Sequence, residues 1–166
     1  LLKYKWAYLI EGILNTIKSS MEAVLILLVI GMLVGSWIIS GVVPTMIFYG
    51  LKIISPGIFL PAALILSLIV ALTTGNSWST AATIGIALMG IGAGLGIPPQ
   101  ITAGAIISGA YMGDKLSPLS DTTNLAPAMA GSDIFEHIKA MLYTTIPSFI
   151  ITIILFIFIG RKYSDI

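Results

Sequence analysis

Apolar residues run along this chain in long blocks that are separated by short polar segments. Charged residues are absent from residues 23–39, 58–74, 81–97 and 147–160. The first block approaches the roughly 20 residues that a helix needs to cross a bilayer. The pattern predicts an all-α, polytopic membrane protein.

The segments between the blocks indicate where the chain meets the membrane surface. Residues 1–20 combine basic and aromatic side chains, a mixture typical of membrane interfaces. Residues 42–54 are too short to span comfortably and predict an amphipathic helix that lies in the interface. A second amphipathic helix is expected over residues 134–143, capped by Ser132 or Asp133.

The two middle blocks are separated by the polar segment 75–80, which allows two arrangements. They form either two full crossings with a short loop, or a re-entrant hairpin whose polar tip rests at mid-membrane. The block 81–97 is rich in glycine and alanine, which a helix buried among other helices needs and a lipid-facing helix does not. This favours the hairpin. Trp78 argues against it if its indole is an interfacial anchor.

Composition narrows the classes of function. Charged residues make up 9% of the chain, against about 25% in soluble domains, so the protein is membrane-embedded. Cysteine is absent, which excludes disulfides and thiolate metal sites, and no basic run suggests nucleic acid. The lone His137 has no nucleophile or metal motif around it, so we expect neither an enzyme nor a cofactor. Because the chain opens on Leu1, we expect it to be part of a longer protein.

The most informative segment is polar and follows a short helix. A helix over residues 99–112 would be about 21 Å long, less than a bilayer core of about 30 Å, and would end inside the membrane. Residues 113–127 then bring two carboxylates, a lysine and several hydroxyl and amide groups. Pro118 and Pro127 each remove a backbone N–H and predict a broken helix with freed carbonyl oxygens.

Oxygen atoms of these kinds are the ligands that hard cations choose. An acidic side chain at the bilayer centre costs about 2.5–3.5 kcal/mol unless it faces water or a counter-charge. Asp121 has no basic neighbour in sequence and is our first candidate for exchanging a proton for a cation; Asp114, beside Lys115, is the second. The structural alternatives are a helix cap for Asp121 and an ion pair for Asp114.

The full candidate set combines the polar segment with the tip of the hairpin. The predicted ion-binding residues are Asp121, Asp114, Thr122, Thr123, Asn124, Ser117, Ser120, Asn76, Ser77, Ser79 and Thr80. Direct metal ligands are expected from Asp121, Thr123, Asn124 and Asn76. An ordinary loop with capping residues is the alternative for the hairpin tip.

The motif Gly113-Asp-Lys-Leu-Ser-Pro-Leu-Ser-Asp-Thr-Thr-Asn-Leu-Ala-Pro127 closely resembles the signature of the NhaC-type Na⁺/H⁺ antiporters, in the ion transporter superfamily. The segments that begin at Gly31, Val43 and Thr74 are also similar to that family. The resemblance implies one inverted-repeat unit, about half of a full-length member, with a re-entrant hairpin and a broken helix at a shared midplane site.

Such a unit would form one transmembrane domain, residues 1–166. Residues 1–57 would supply a scaffold helix and the interfacial helix, residues 58–131 the hairpin and the broken helix, and residues 132–166 the amphipathic and final helices.

The resemblance also implies a function. Na⁺ and H⁺ would compete for a buried carboxylate in a multi-pass protein of a prokaryotic plasma membrane, and a second repeat or second protomer would be needed. The partners would be the lipid bilayer and the two ions. The alternatives are a malate/lactate antiporter coupled to Na⁺ and H⁺, and a membrane subunit that does not transport.

Overall fold

The computed structural model describes residues 5–163, without the side chains at positions 19, 20, 22, 23, 26 and 27. Residues 1–4 of the predicted interface segment lie outside the described residues. Every regular element of the described part is an α-helix, which confirms the all-α prediction. The helices are α1 (Trp6–Ile39), α2 (Val42–Ile53), α3 (Pro56–Thr74), α4 (Ser77–Ala82), α5 (Ile84–Gly94), α6 (Pro99–Leu116), α7 (Asp121–Ala130) and α8 (Ile134–Arg161).

Helices α3 and α8 are long and apolar enough to cross a membrane. A third span is available if Leu28–Ile39 and α2, which meet at an angle of 68°, form one broken crossing or a re-entrant loop. Gly41 makes this bend with a φ of 82°, a conformation that favours glycine. The placement of α2 in the membrane interface stays a prediction.

The polar segment after α3 turns the chain back at Gly75. Asn76 then caps the six-residue helix α4, so the predicted tip residues from Ser77 onward form a helical turn and not an open loop. The chain kinks at Thr83 before α5. Because α5 has 11 residues and is about 16 Å long, it is too short to cross a bilayer core alone. The predicted re-entrant arrangement agrees with these lengths, and its depth in the membrane stays a prediction.

The break between α6 and α7 is shorter than the sequence predicts. Only residues 117–120 are non-helical, so Asp114 lies in the last turn of α6 and Asp121 is the first residue of α7. The expectation that the aspartates lie on unwound chain is wrong, because Pro118 ends one helix and Ser120 caps the next almost at once. Pro127 lies inside α7 without ending it.

The last helix is continuous from residue 134 to residue 161, and not divided into an amphipathic and a spanning part. Asp133 is its cap, since the Oδ1 atom of Asp133 accepts hydrogen bonds from the backbone N–H groups of Phe135 and Glu136. Pro147 lies in the middle of α8. Proline is tolerated in membrane helices because neighbouring groups can satisfy the carbonyl that it leaves unbonded.

The core lies where α3 meets α6. Gly109 and Gly113 of α6 face the backbone of α3, and a Cβ atom at either glycine would collide with the carbonyl oxygen of Leu64 or Leu68, respectively. This small-xxx-small pair lets the two backbones touch, as membrane helices do when they associate through packing. The core around this contact is apolar and fully or almost fully buried; it includes Phe59, Leu60, Ala63, Leu64, Ala105 and Ile106.

Replacing Gly109 with alanine should destabilise the protein by about 1–3 kcal/mol, because the added methyl group would meet the rigid backbone of Leu64. Thermal unfolding of the purified protein in detergent measures this. The matched control is Gly104→Ala in the same helix, where the nearest heavy atom would be Phe156 Cζ at 3.7 Å, an ordinary contact. Equal melting temperatures for the two variants would contradict the packing argument.

Candidate functional site

The hairpin tip and the helix break touch each other. Gly75, with a φ of 67°, lies against the backbone of Leu119, and a Cβ at this glycine would come within 2.6 Å of the Leu119 carbonyl carbon. The turn after α3 therefore fits directly onto the turn between α6 and α7. The two segments that the sequence marks as polar form one junction.

One hydrogen bond joins the two segments through their side chains. The hydroxyl of Ser77 donates to Asp114 Oδ2 over 2.7 Å. Ser77 is 4% exposed and opens α4, while Asp114 is half-buried near the end of α6. The other carboxylate oxygen, Asp114 Oδ1, is buried and has no hydrogen-bond partner among the described residues. The junction thus holds a carboxylate with one oxygen engaged and one oxygen available.

Several predicted ligands instead stabilise the break. The hydroxyl of Thr123 donates to the carbonyl oxygen of Lys115 over 3.0 Å and to that of Asp114 over 3.3 Å. Asn124 Nδ2 donates to the carbonyl oxygens of Pro118 and Ser120. Pro118 has no N–H to offer to the carbonyl of Asp114, four residues before it. The hydroxyl of Thr123 bonds to this carbonyl instead, which corrects the expectation that the carbonyl is free for an ion.

The remaining serines of the break are also engaged. Ser120 is fully buried and its Oγ accepts from the N–H of Thr123, so it caps α7, and it lies 2.9 Å from the hydroxyl of Thr122. Ser117 is fully buried and accepts from the N–H of Leu119. These contacts hold the turn in shape.

Asp121 is placed differently from Asp114. It is exposed in the described chain, and its Oδ1 accepts a hydrogen bond from the N–H of Thr122 at the start of α7. This geometry agrees with the helix-terminal alternative, and a carboxylate there is favourable for the helix dipole. The role of Asp121 in ion exchange stays a prediction.

Polar side chains of the hairpin tip also form capping hydrogen bonds at the start of a helix, here α4. Asn76 Oδ1 accepts from the N–H of Ser79 over 2.8 Å, and the hydroxyl of Thr80 donates to the carbonyl oxygen of Asn76 over 2.9 Å. Thr80 is fully buried. These three residues make the cap of α4, and Ser77 is the tip residue that reaches across to a carboxylate.

A cavity of about 640 Å³ opens beside the junction, between α4, α6, α7 and α8. Its lining includes Ser77 and Trp78 of α4; Ser108, Asp114 and Lys115 of α6; Thr122 and Thr123 of α7; and His137, Thr144, Thr145, Ser148 and Thr152 of α8. Asp121 and Asn76 are not among the lining residues. Of the four predicted metal ligands, the structure thus brings only Thr123 to the cavity wall.

The hydroxyl groups of α8 are the site residues that the sequence reasoning missed. Thr144, Ser148 and Thr152 recur every four residues, the spacing that places side chains on one face of a helix. This spacing could have revealed them, but they lie partly in the block 147–160, which reads as a plain apolar span. Ser108 of α6 was missed as well, because it lies among the small and apolar residues of the predicted helix 99–112.

The cavity brings one carboxylate together with several hydroxyl oxygens, and Lys115 and His137 also lie on its wall. Such an arrangement can bind a proton or a small cation at the carboxylate. Within residues 5–163, no group of three or more histidine or acidic side chains is placed to hold a metal ion. A site built from a single carboxylate and neutral oxygens suits a monovalent cation better than a tightly held divalent one, since fewer negative charges have to be neutralised.

Known proteins resemble this chain over almost its whole length. Residues 109–165, which contain Asp114, Asp121 and all of α8, match the model of the Na⁺/H⁺ antiporter family. The Na⁺/H⁺ antiporter NhaC of Alkalihalophilus pseudofirmus is 49% identical over 98% of the chain. The malate-2H⁺/Na⁺-lactate antiporter of Bacillus subtilis is 52% identical over 98%, and the arginine/ornithine antiporter ArcD of Halobacterium salinarum 46% over 95%. No solved structure matches the chain.

These relatives are named as antiporters and not as enzymes. The chain covers 35% of the first two and 32% of the third, about one third of their length. With nearly every residue aligned at about half identity, an all-α fold and helices fit to cross a membrane, this chain is a membrane protein that belongs to the NhaC-type Na⁺/H⁺ antiporter family.

Proposed function

We propose that this chain forms part of a secondary transporter that exchanges Na⁺ for H⁺, and that Asp114 is the carboxylate for which the two ions compete. The observation that carries the proposal is the buried and unpartnered Asp114 Oδ1 at the junction of hairpin tip and helix break. A buried polar atom without a partner is costly, so such an atom calls for a ligand.

The mechanism follows from the two oxygens of this carboxylate. Ser77 holds Oδ2 and orients the group, while Oδ1 faces a proton in one state and Na⁺ in the other. Binding Na⁺ requires the charged form, so the proton leaves; the return of a proton removes the charge that holds the cation. Exchange results if only the loaded states change access from one side of the membrane to the other.

A second repeat or a second protomer is part of this proposal. The chain spans about one third of its relatives, and helix α1 leaves most of its described large apolar side chains exposed. In transporters with inverted repeats the substrate site lies where two units meet. The open side of the cavity would then be closed by the second unit, in the plasma membrane of a prokaryote.

Charged organic solutes are the second candidate. The cavity of about 640 Å³ lies in the usual range for small-molecule sites, roughly 300–1,000 Å³, and exceeds what one cation fills. The relative from Bacillus subtilis is named for malate and lactate. Measuring the Na⁺-driven pH change with and without a dicarboxylate separates the candidates, because only solute exchange requires the acid.

Replacing Asp114 with asparagine should abolish Na⁺-induced proton movement, because the amide keeps the shape of the carboxylate but can neither release a proton nor neutralise Na⁺. The measurement is dye-reported pH change in everted vesicles that contain the transporter carrying this sequence. The control is Asp133→Asn, which makes the same chemical change at the exposed cap of α8, where asparagine caps equally well. Wild-type exchange in the Asp114 variant would refute the proposal.

Asp121→Asn in the same assay tests the carboxylate that the sequence favoured. If Asp114 is the exchanging group and Asp121 serves the start of α7, this variant should keep most of its activity and lose at most about 1 kcal/mol of helix stabilisation. Loss of exchange in the Asp121 variant together with full exchange in the Asp114 variant would reverse the assignment.

Ser77→Ala should weaken Na⁺ binding without abolishing exchange. Removing the hydroxyl deletes the hydrogen bond from Ser77 to Asp114 Oδ2, which orients the carboxylate. We expect the half-saturating Na⁺ concentration to rise about tenfold, since hydrogen bonds to charged groups contribute roughly 1.5–3 kcal/mol. Ser79→Ala is the control, because its hydroxyl lies outside both this bond and the cavity. Equal Na⁺ dependence in both variants would show that Ser77 does not orient the carboxylate.

A further inference from the structure

The wall of the cavity opposite Asp114 consists of hydroxyl groups on one face of α8. We infer that these groups, which include the buried Thr145, form a second set of neutral oxygen ligands for the transported cation and tune its affinity. We call them the α8 hydroxyl face: Thr144, Thr145, Ser148 and Thr152. The inference rests on the proposed function, and it adds the α8 hydroxyl face to Asp114 as part of the cation site.

The first argument is the direction in which the hydroxyl hydrogens point. Thr144 donates to the carbonyl oxygen of Met141, Ser148 to that of Thr144, and Thr152 to that of Ser148, over 2.8–3.1 Å. Each hydrogen is thus engaged with the preceding turn of the same helix. What these hydroxyl oxygens offer to the cavity is lone pairs, and lone pairs attract cations and repel anions.

The second argument is an unsatisfied oxygen. Thr145 is 7% exposed and lines the cavity, and its Oγ1 has no hydrogen-bond partner among the described residues. Asp114 lines the same cavity, and its buried Oδ1 also lacks a hydrogen-bond partner among the described residues. A ligand between these two residues could interact with both oxygens. The ionised carboxylate can only accept hydrogen bonds, and the threonine oxygen has lone pairs that also accept. The visitor must carry positive charge or donate hydrogens, and a partly dehydrated Na⁺ meets this demand.

The third argument is the absence of a competing charge on this wall. The described lining residues of α8 that follow His137 in the sequence have hydroxyl or apolar side chains, including one methionine, so they contribute no charge of their own. If Na⁺ lies between Asp114 and neutral oxygens, the single negative charge of the carboxylate balances it. One proton bound to that carboxylate can then take the place of the Na⁺ ion. A second carboxylate would add negative charge and strengthen cation binding, since the number of charged ligands tunes affinity.

The test is Thr145→Val in the transporter that carries this sequence, assayed by Na⁺-induced pH change in proteoliposomes. Valine keeps the shape and removes the oxygen. We expect the half-saturating Na⁺ concentration to rise about tenfold with the maximal rate largely kept, the signature of lost ground-state binding. Thr145→Ser, which restores the oxygen, should return the Na⁺ dependence towards wild type.

The matched control is Thr73→Val on α3. The hydroxyl of Thr73 also bonds to its own helix, but the residue is exposed and does not line the cavity. Its Na⁺ dependence should be unchanged. If Thr145→Val fails to accumulate in the membrane, Ser148→Ala decides: a raised half-saturating concentration supports the inference and an unchanged one overturns it.

The outcome separates this inference from the proposed function. Wild-type Na⁺ dependence in Thr145→Val, with exchange lost in Asp114→Asn, would mean that an ordinary bridging water serves Thr145 and would overturn the inference alone. Wild-type exchange in Asp114→Asn would overturn the proposed function and the inference with it.

Discussion

The close contact between α3 and α6 is the constraint on which the rest of the site depends. Gly113 lies on the α3 backbone at Leu68, and Asp114 is the next residue. Because α3 ends at Thr74 and the chain turns back at Gly75, this contact brings Asp114 level with the start of α4. The 2.7 Å hydrogen bond from Ser77 follows from that alignment. A larger side chain at Gly113 would separate the helices and move the carboxylate away from its partner.

The polar residues of the junction fall into two groups, and the difference is whether their hydrogen-bonding capacity is used. In the first group, the side chains form hydrogen bonds with backbone groups that a helix end or a proline leaves without partners; these residues are Asn76, Thr80, Ser120 and Thr123. In an apolar environment such groups have to be satisfied internally. Asp114 and Thr145 each retain a buried oxygen that has no hydrogen-bond partner in the part of the chain that the structure describes. Polarity alone therefore does not single out a candidate site, and the unpartnered buried oxygens are the observation on which the proposed site rests.

The short break between α6 and α7 shows how a membrane helix can be interrupted at small cost. Pro118 removes one helical hydrogen bond, and the hydroxyl of Thr123 returns to the carbonyls of Asp114 and Lys115. Asn124 ties the carbonyl of Pro118 to α7. The turn is thereby held by the side chains of Thr123 and Asn124, which lie more than one helical turn beyond the proline. These bonds tie the start of α7 to the last turn of α6, where Asp114 faces the cavity.

The sequence by itself determined the class of protein and the location of its polar junction. Long uncharged blocks and scarce charge require a membrane, and Pro118 between two aspartates requires a break, because these follow from local chemistry. The tertiary structure decided which polar groups are free. The sequence favoured Asp121 over Asp114, but it is Asp114 that α4 contacts through Ser77 and that lies half-buried on the cavity wall. The α8 hydroxyl face became visible for the same reason: whether a threonine on an apolar helix meets lipid or a cavity depends on its neighbours in space.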